Sequence, residues 1–284
     1  MIKSVEKIIN GQNVQIIENL RDFNLDHIFD CGQCFRWKKE EDGSYSGIAK
    51  GRKVNMAFQY EEGSDNQGTL TITGGEKGDF QNIWKDYLDL HRDYGEIKKT
   101  LSQSDPVMAK AIASGRGIRI LKQDLWETIV SFIISQNNNI PRIKSCIENL
   151  GTTFGEDGNL PTAQRLSKLT VEDLAPIKLG YRAKYLIETS KQVESNGLPT
   201  NKEELGKLTG VGPKVANCIS LFGMQELSSF PIDVWMKRVM SALYGFKESD
   251  VTGMAAYAQE HFGQLGGIAQ QYLFYYIRQN PVDI

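Results

Sequence analysis

Apolar residues follow a strand-like alternation in the first part of the chain. Val54, Met56 and Phe58 alternate with polar residues, which is typical of a strand with one buried face. Turn sequences such as Asp42-Gly43 separate the short apolar segments. The pattern predicts strands at Asn13–Glu18, Cys34–Lys38, Ser44–Ala49, Val54–Tyr60 and Thr69–Thr73. Short strands joined by tight turns predict an antiparallel sheet.

Helical spacing replaces this alternation in the rest of the chain. Over Asp79–Thr100, Trp84 and Tyr87 fall on one side of a helix. Further helices are predicted at Pro106–Ser114, Leu125–Ser135, Ile140–Phe154, Thr162–Lys168, Val171–Ala175, Arg182–Ser195, Lys202–Leu208, Pro213–Gly223, Val234–Tyr244, Thr252–Phe262 and Ile268–Arg278. A sheet followed by helices predicts an α+β fold. We expect an N-terminal antiparallel β-sheet domain with a flanking helix, residues 1–104, and then a mainly α-helical domain, residues 105–284.

A glycine-rich turn lies between two of the predicted helices. Gly210, Val211 and Gly212 form a tight hairpin, and Pro213 suits the first position of the helix that follows. The amides at such a helix start have no intrahelical partner, so they suit a DNA phosphate. Many helical hairpins need glycine at the turn for steric reasons alone. By itself, the hairpin therefore indicates DNA binding only weakly.

Three side chains near this hairpin suggest chemistry. Lys214 lies in the first helical turn, where the helix dipole disfavours a second positive charge, and a neutral lysine amine is a nucleophile. Cys218 follows one turn later on the same face. Asp233 comes after a Pro-containing turn and opens the next amphipathic helix. Each residue alone is more often structural, as an exposed lysine, a buried cysteine and a helix N-cap.

The segment Leu208–Asp233 resembles the helix-hairpin-helix and Gly/Pro-Asp motif of base-excision DNA glycosylases. Its sequences GVGPKVANC and PIDVW most resemble the 8-oxoguanine DNA glycosylase branch. This resemblance implies that the lysine matching Lys214 attacks the sugar and that the aspartate matching Asp233 assists. It also implies that the sheet domain is TATA-binding-protein-like and that the helical domain is a helix-hairpin-helix glycosylase domain.

The same resemblance implies a pocket for the damaged base. The sequence CGQCFRW contains the glycine, Gly32, whose carbonyl lies against the base in this family. Oxidation of guanine turns N7 from an acceptor into a donor, so one fixed acceptor separates the lesion from the normal base. Near the C-terminus, the residue matching Gln270 bonds the Watson–Crick edge, and Phe274 stacks on the ring opposite Cys218. Read as structure alone, these segments are a turn into a strand and a core helix.

Two further motifs match residues that act on the opposite strand. In SQNNNIPRI, Asn137 matches the residue that fills the gap left by an extruded base, and Arg142 matches a reader of the orphaned cytosine. In LGYRAKY, Tyr181 matches the wedge in the base stack, and Arg182 also reaches the cytosine. Such residues offset an unstacking cost of a few kcal/mol. Without the resemblance, the asparagines are more simply helix caps.

Composition and charge limit this interpretation in some respects. The net charge is −2 and the pI is near 6.0, so the chain has no global basic footprint and DNA binding must depend on a local surface. Cys31 and Cys34 form a C-x-x-C without a second pair, which is too few ligands for zinc, and we expect them to be buried. Since no cysteine follows Cys218, the four-cysteine iron–sulfur cluster of endonuclease III-type relatives is not expected. We predict no metal and no cofactor.

Together, the motifs predict a DNA glycosylase with lyase activity that removes 8-oxoguanine, preferably opposite cytosine. Its partner would be double-stranded DNA containing 8-oxoguanine, with no membrane involved. We expect an intracellular monomer, cytoplasmic and nucleoid-associated if the source is bacterial. One departure is Trp235, which stands where human-type members carry a phosphate-contacting histidine. Two alternatives stay open: a glycosylase for another damaged base, and a non-catalytic helix-hairpin-helix DNA-binding protein.

Overall fold

Six antiparallel strands form a single sheet in the N-terminal part of the chain, as predicted. The computed structural model describes residues 3–103 and 105–280, so the residue at the predicted domain boundary, Ser104, lies outside the described residues. The strands are β1 (Lys3–Ile9), β2 (Gln12–Arg21), β3 (Trp37–Lys39), β4 (Tyr45–Ala49), β5 (Arg52–Tyr60) and β6 (Gln67–Gly74). Their order across the sheet is β1-β2-β6-β5-β4-β3. Strands β3, β4 and β5 each pair with the next strand in the chain. Strand β2 pairs with β6, so the first strands of the sheet lie beside its last strand.

Two strands differ from the sequence prediction. Strand β1 was not predicted, because all seven of its residues are exposed and its sequence therefore carries no alternation between a buried and an exposed face. The strand predicted at Cys34–Lys38 begins only at Trp37. Cys34 belongs instead to a buried loop that hydrogen bonds anchor to the helical part of the chain.

Helices make up most of the remaining described chain. They are α1 (Leu25–Phe29), α2 (Lys85–Tyr87), α3 (Tyr94–Ser102), α4 (Pro106–Ser114), α5 (Leu125–Ser135), α6 (Ile140–Phe154), α7 (Ala163–Leu166), α8 (Arg182–Asn196), α9 (Lys202–Leu205), α10 (Pro213–Gly223), α11 (Val234–Tyr244), α12 (Val251–Phe262) and α13 (Gly266–Gln279). Shorter turns of other helical types lie at Phe80–Trp84, Ala175–Ile177 and Gly263–Leu265. Within the described residues, none of these helices has the length and apolar character needed to cross a membrane.

The predicted helix over Asp79–Thr100 is interrupted. Its first part ends at Tyr87, and α3 starts only at Tyr94. Between them Asp89 adopts a left-handed conformation with φ of +50°, which a right-handed helix does not accommodate. The side chain of Asp93 then accepts a hydrogen bond from the Glu96 amide and starts the new helix. The helix predicted at Val171–Ala175 is likewise a series of turns that leads into the short 3-10 turn.

The two parts of the chain meet along buried polar side chains. Arg119 is buried and donates hydrogen bonds to the carbonyls of Arg21, Asp22 and Asp89 at 2.9, 3.0 and 2.8 Å. Its guanidinium also lies 4.6 Å from the centre of the Tyr94 ring. Because the donors of this arginine have main-chain partners, its charge can be buried between the sheet and the helices. The Arg119 carbonyl also accepts a hydrogen bond from Nε2 of Gln33 at 2.8 Å, which links this junction to the loop that carries Gly32.

Candidate active site

The glycine-rich hairpin presents main-chain amides at the start of α10. Gly210 has φ of +79°, and a Cβ there would lie 2.5 Å from Cδ2 of Tyr185, so the position requires glycine. The Val211 amide donates to the Leu208 carbonyl at 3.1 Å and is therefore already used. In the described part of the chain, the amides of Gly210 and Gly212 have no protein acceptor, and no side chain caps α10. The hairpin therefore presents two unpaired amides to an anion.

Lys214 stands in the first turn of α10 with a half-buried side chain. Its Nζ lies 5.6 Å from the centre of the Phe132 ring. Among the described residues it forms no ion pair, so no carboxylate neutralises its amine. Burial raises the pKa of the neighbouring Cys218 thiol, Asp233 adds to the rise, and Lys214 opposes it. Cys218 therefore stays a neutral thiol at neutral pH, which makes it a poor nucleophile.

Asp233 faces the same cavity from the start of α11. Its Oδ1 accepts a hydrogen bond from the Met236 amide at 2.9 Å, which confirms the predicted N-cap. The cap fixes the carboxyl group, and its second oxygen, Oδ2, has no hydrogen-bond partner in the described part of the chain. A carboxylate held in this way can stabilise a positive charge that develops nearby.

The cavity beside Lys214 is small and is formed by segments from both ends of the chain. Its volume is about 40 Å³, and the residues that line it are Cys31, Gly32, Phe132, Lys214, Cys218, Phe222, Pro231, Asp233, Gln270, Gln271 and Phe274. One water occupies about 30 Å³ in the liquid, so the cavity in this conformation is too small for a purine base. The ring of Phe274 fills part of it, since a Cβ at Gly32 would lie 3.0 Å from Phe274 Cε1. Gly32 has φ of +80°, which favours glycine independently of this contact.

Gln33 holds the loop that carries Gly32. It is fully buried, and its Nε2 donates to the carbonyls of Ile28 and Arg119 at 2.9 and 2.8 Å. Its Oε1 accepts from the Leu121 amide at 2.8 Å. The sequence reasoning missed this residue, because a glutamine in a loop carries no sign that it will be buried. The neighbouring Cys31 thiol is free and buried, as expected, and burial raises its pKa to about 12.

The predicted opposite-base residues lie together on the surface, with one exception. Asn137 is exposed in a left-handed turn with φ of +46°, Tyr181 is 49% exposed, and the exposed Arg142 donates to the Lys178 carbonyl at 3.0 Å. Arg182, by contrast, is only 5% exposed. It donates to the carbonyls of Gln136 and Asn137, each at 2.8 Å, and to the Leu179 carbonyl at 3.1 Å. In this structure Arg182 therefore lies on the buried side of the Asn137 turn and stabilises its main chain.

Gln136 connects this turn to the hairpin. Its Nε2 donates to the Gly210 carbonyl at 2.9 Å, while its own carbonyl accepts from Arg182. The Tyr181 ring meets the Tyr185 ring edge-on at 5.4 Å, and Tyr185 in turn packs against Gly210. Through Gln136 and Tyr185, the Asn137 turn and the predicted wedge Tyr181 are both connected to the Gly210 hairpin. Gln136 was not singled out from the sequence, where it precedes three asparagines without a distinguishing pattern.

Two other features lie outside this arrangement. Trp235 on α11 is 38% exposed, and the Arg238 guanidinium lies 5.3 Å from its ring centre. A groove of about 1020 Å³, whose lining does not include Lys214, lies between the sheet and the start of α3. Several of its basic side chains already have partners, for example Lys98 with Asp22. Size therefore does not identify the functional site, whereas the chemistry around Lys214 does.

Comparisons with known proteins agree with this geometry. Residues 15–129 match the family of 8-oxoguanine DNA glycosylase N-terminal domains, and residues 130–263 match the HhH-GPD superfamily of base excision DNA repair proteins. The chain is 31% identical to the N-glycosylase/DNA lyase OGG1 of Arabidopsis thaliana over 89% of this chain and 77% of that protein. It is 30% identical to an N-glycosylase/DNA lyase of Saccharomyces cerevisiae over 80% of this chain and 69% of that protein.

Solved structures give the same result for the whole fold. The 8-oxoguanine glycosylase/lyase of Clostridium acetobutylicum, in complex with double-stranded DNA containing cytosine opposite 8-oxoguanine, is 41% identical and covers 99% of this chain and 98% of its own. The TM-score is 0.88. A structure described as MBOgg1 with a low-affinity DNA ligand is 43% identical, covers 98% of this chain and 99% of its own, and has a TM-score of 0.87.

Proposed function

Because the chain belongs to the 8-oxoguanine DNA glycosylase family of N-glycosylase/DNA lyases, we propose that it flips out and excises 8-oxoguanine, preferably opposite cytosine. Its catalytic groups are Lys214 as the nucleophile and Asp233 as the carboxylate. The proposal depends most on one observation: these two side chains and the amide of Gln270 line the same cavity although they come from three separate helices.

The reaction begins when the neutral Lys214 amine attacks the anomeric carbon of the flipped nucleotide. The bond from that carbon to the base nitrogen breaks, and the base leaves with the bonding electrons and takes up a proton. Asp233 stabilises the positive charge that develops on the sugar and assists proton transfer. Loss of a proton from the attached nitrogen and opening of the sugar ring then give a Schiff base, which permits β-elimination of the 3′ phosphate.

The lesion base is bound by groups on opposite sides of the cavity. Gly32 contributes a carbonyl that accepts a hydrogen bond from the N7–H found only in the oxidised base. Gln270 contacts the Watson–Crick edge, and the ring lies between Phe274 and Cys218. The small size of the cavity means that Phe274 must move away from Gly32 when the base enters.

The opposite strand is bound by the surface turn and the hairpin. Asn137 fills the gap, Tyr181 enters the stack, and Arg142 reads the orphaned cytosine. Arg182 reaches the cytosine only if its guanidinium exchanges main-chain carbonyls for the base, and it otherwise acts through Asn137. The hairpin Gly210, Val211 and Gly212 binds a phosphate, chiefly through the two glycine amides that have no acceptor in the described chain.

The organisation of the molecule completes the proposal. The sheet domain spans residues 1–104 and the glycosylase domain residues 105–284. The protein acts as a monomer on double-stranded DNA, inside the cell and in association with the nucleoid if the source is bacterial. No metal or cofactor takes part in the steps above.

Borohydride trapping tests the mechanism. A duplex with one 8-oxoguanine opposite cytosine is incubated with the protein, and borohydride reduces any Schiff base to a stable covalent adduct. We expect an adduct from the wild-type protein and none from Lys214→Gln. Lys191→Gln is the matched control, because Lys191 is an exposed lysine on α8 outside the cavity.

Three results would contradict the proposal. An undiminished adduct from Lys214→Gln would exclude Lys214 as the nucleophile. Trapping of a duplex with an alkylated base in place of 8-oxoguanine, with none for 8-oxoguanine, would favour the alternative lesion. Full excision by Asp233→Asn would remove Asp233 from the chemistry.

A further inference from the structure

Two consecutive glutamines on α13 line the cavity beside Lys214. Gln270 is 4% exposed and Gln271 is 3% exposed. Nε2 of Gln271 donates to Oε1 of Gln270 at 2.7 Å. Oε1 of Gln271 is buried and has no hydrogen-bond partner in the described part of the chain. The pair therefore holds a buried acceptor without a donor, on a residue that lines the cavity.

An unpaired buried acceptor is costly, since it has lost its water without gaining a donor. Such atoms are not all binding groups, because Oε1 of Gln15 in the sheet is also buried without a partner. The distinction is position: Gln271 lines the cavity that holds Lys214, whereas Gln15 lies on β2 and donates to the Glu76 carbonyl. A side chain with an unpaired acceptor beside a reactive lysine is expected to receive a donor from the ligand.

The bond between the two amides also fixes which way Gln270 faces. Since Oε1 of Gln270 accepts from Gln271, the Nε2 group of Gln270 is the part that remains available as a donor. Oε1 of Gln270 keeps a second lone pair. Besides the bond between them, the pair therefore holds one free donor and one acceptor on Gln270 and one free acceptor on Gln271.

In number and type, these groups complement the Watson–Crick edge of a guanine-type base, which carries the O6 acceptor, the N1–H donor and the 2-amino donor. We propose that Gln271 is a further specificity-determining residue, and that its Oε1 accepts a hydrogen bond from the 2-amino group of the flipped base. The inference rests on the proposed function, because it requires the base to bind in this cavity. It divides recognition between two edges: Gly32 reads the oxidised ring, and the two glutamines read the guanine edge.

A base that is oxidised in the same ring but lacks the 2-amino group distinguishes recognition by Gly32 from recognition by the two glutamines. 8-Oxohypoxanthine keeps the N7–H donor, O6 and N1–H, and it would leave Oε1 of Gln271 unpaired. A site built to pair with a substrate N–H discriminates against the analogue that lacks it. Single-turnover excision is measured on matched duplexes that carry either base opposite cytosine. We expect the wild-type protein to excise 8-oxoguanine at least about tenfold faster than 8-oxohypoxanthine.

The variant Gln271→Leu removes the acceptor and keeps a buried apolar side chain of similar size. We expect excision of 8-oxoguanine to fall about tenfold while excision of 8-oxohypoxanthine changes by less than about twofold, so that the preference is lost. Gln271→Met is a second variant of closer shape, with the same expectation if the leucine variant folds poorly. Gln15→Leu is the matched control, since it removes another buried glutamine with an unpaired oxygen, and we expect it to leave the preference unchanged.

The outcomes are distinct. If Gln271→Leu and Gln271→Met slow both substrates equally, Gln271 only orients Gln270 and the proposal is wrong. If the wild-type protein excises both bases at the same rate, the 2-amino group is not read and the proposal is also wrong. If the wild-type protein excises neither base and forms no trapped adduct, the proposed function itself fails, together with the inference that depends on it.

Discussion

The cavity beside Lys214 and the surface turn at Asn137 are built in opposite ways. The cavity is lined by buried side chains such as Cys218 and Gln270, which come from helices far apart in the sequence. The turn presents exposed side chains, and buried hydrogen bonds from Arg182 support its main chain. Water competes little with the polar contacts of the buried side chains in the cavity, whereas it competes strongly with contacts made by the exposed side chains of the turn. A single substitution in the cavity should therefore affect activity more than one at the exposed surface.

The difference has a second consequence. The proposed cavity residues would contact the ligand directly, whereas two residues at the turn bind main-chain carbonyls. Arg182 and Gln136 connect the Asn137 turn to Gly210 of the hairpin. A substitution at such a supporting residue is expected to lower stability and the recognition of DNA together. The following predictions test this contrast, beginning with the largest effect.

Gly32→Ala should give the largest loss. The alanine would have to adopt a φ near +80°, and its Cβ would lie 3.0 Å from Phe274 Cε1. Strain and the displaced ring together should slow single-turnover excision of 8-oxoguanine about a hundredfold. Binding to an undamaged duplex, measured by fluorescence anisotropy, should change little, because it does not use the cavity.

Gly51→Ala is the matched control for Gly32→Ala. Gly51 has a similar φ of +72°, but an added Cβ would meet nothing within 4 Å. It should lower the melting temperature through backbone strain while excision proceeds at the wild-type rate. If both variants lose excision equally, backbone strain rather than the cavity contact explains the effect of Gly32→Ala.

Arg182→Ala should destabilise the fold by about 2 to 3 kcal/mol, because it leaves buried carbonyls without donors. Urea unfolding measures this loss. The preference for 8-oxoguanine opposite cytosine should decrease as well, since the Asn137 turn loses its support. Arg182→Lys should restore little, because one ammonium group does not reproduce the geometry of a guanidinium that binds several carbonyls.

Arg142→Ala gives the comparison for an exposed arginine. It should reduce the cytosine preference with almost no change in the free energy of unfolding, because Arg142 is exposed and makes a single hydrogen bond at the surface. If Arg182→Ala abolishes the preference without any loss of stability, Arg182 contacts the base and does not act through the turn. If neither variant alters the preference, both assignments are wrong.

The smallest predicted effect concerns Cys31, which is buried at the edge of the cavity. Burial raises its pKa from 9.0 to about 12. Below pH 9 the thiol is protonated in the folded and the unfolded chain, and its full contribution to stability is present. Between pH 9 and pH 12 the unfolded chain loses this proton first, so stability falls as pH rises. The stability lost between pH 8 and pH 10 should be about 1.4 kcal/mol.

Urea unfolding of the wild-type protein and Cys31→Ala at pH 8 and pH 10 tests this prediction. The variant should lose less stability on going to pH 10, whatever its stability at pH 8. An equal loss in both proteins would show that the alkaline sensitivity arises from other groups.

Much of the reactive segment was predictable from sequence. The Gly210 hairpin, the helix from Pro213 and the N-cap at Asp233 all appear where the sequence places them. Each depends on residues within one or two turns, and Gly, Pro and Asp have strong local preferences at these positions. The fold class was predictable for a similar reason, because buried faces leave a periodic pattern in the sequence.

Other features were not predictable in the same way. Strand β1 has no buried face and so leaves no pattern. Gln33 and Arg119 are held by hydrogen bonds to residues more than 80 positions away or across the junction between sheet and helices. No local preference specifies which distant carbonyl a buried amide or guanidinium will meet.

By itself, the sequence determined the order of sheet and helices, the hairpin, the lysine in the first turn after it and the aspartate N-cap that follows. The tertiary structure alone decided that Gln271 buries an unpaired acceptor beside Gln270, that Arg182 points inward to the Asn137 turn, and that Phe274 packs against Gly32. The physical reason is the range of the interactions. Turns and caps are settled by neighbours in the chain, whereas the pairing of buried polar groups is settled only when distant segments pack together and exclude water.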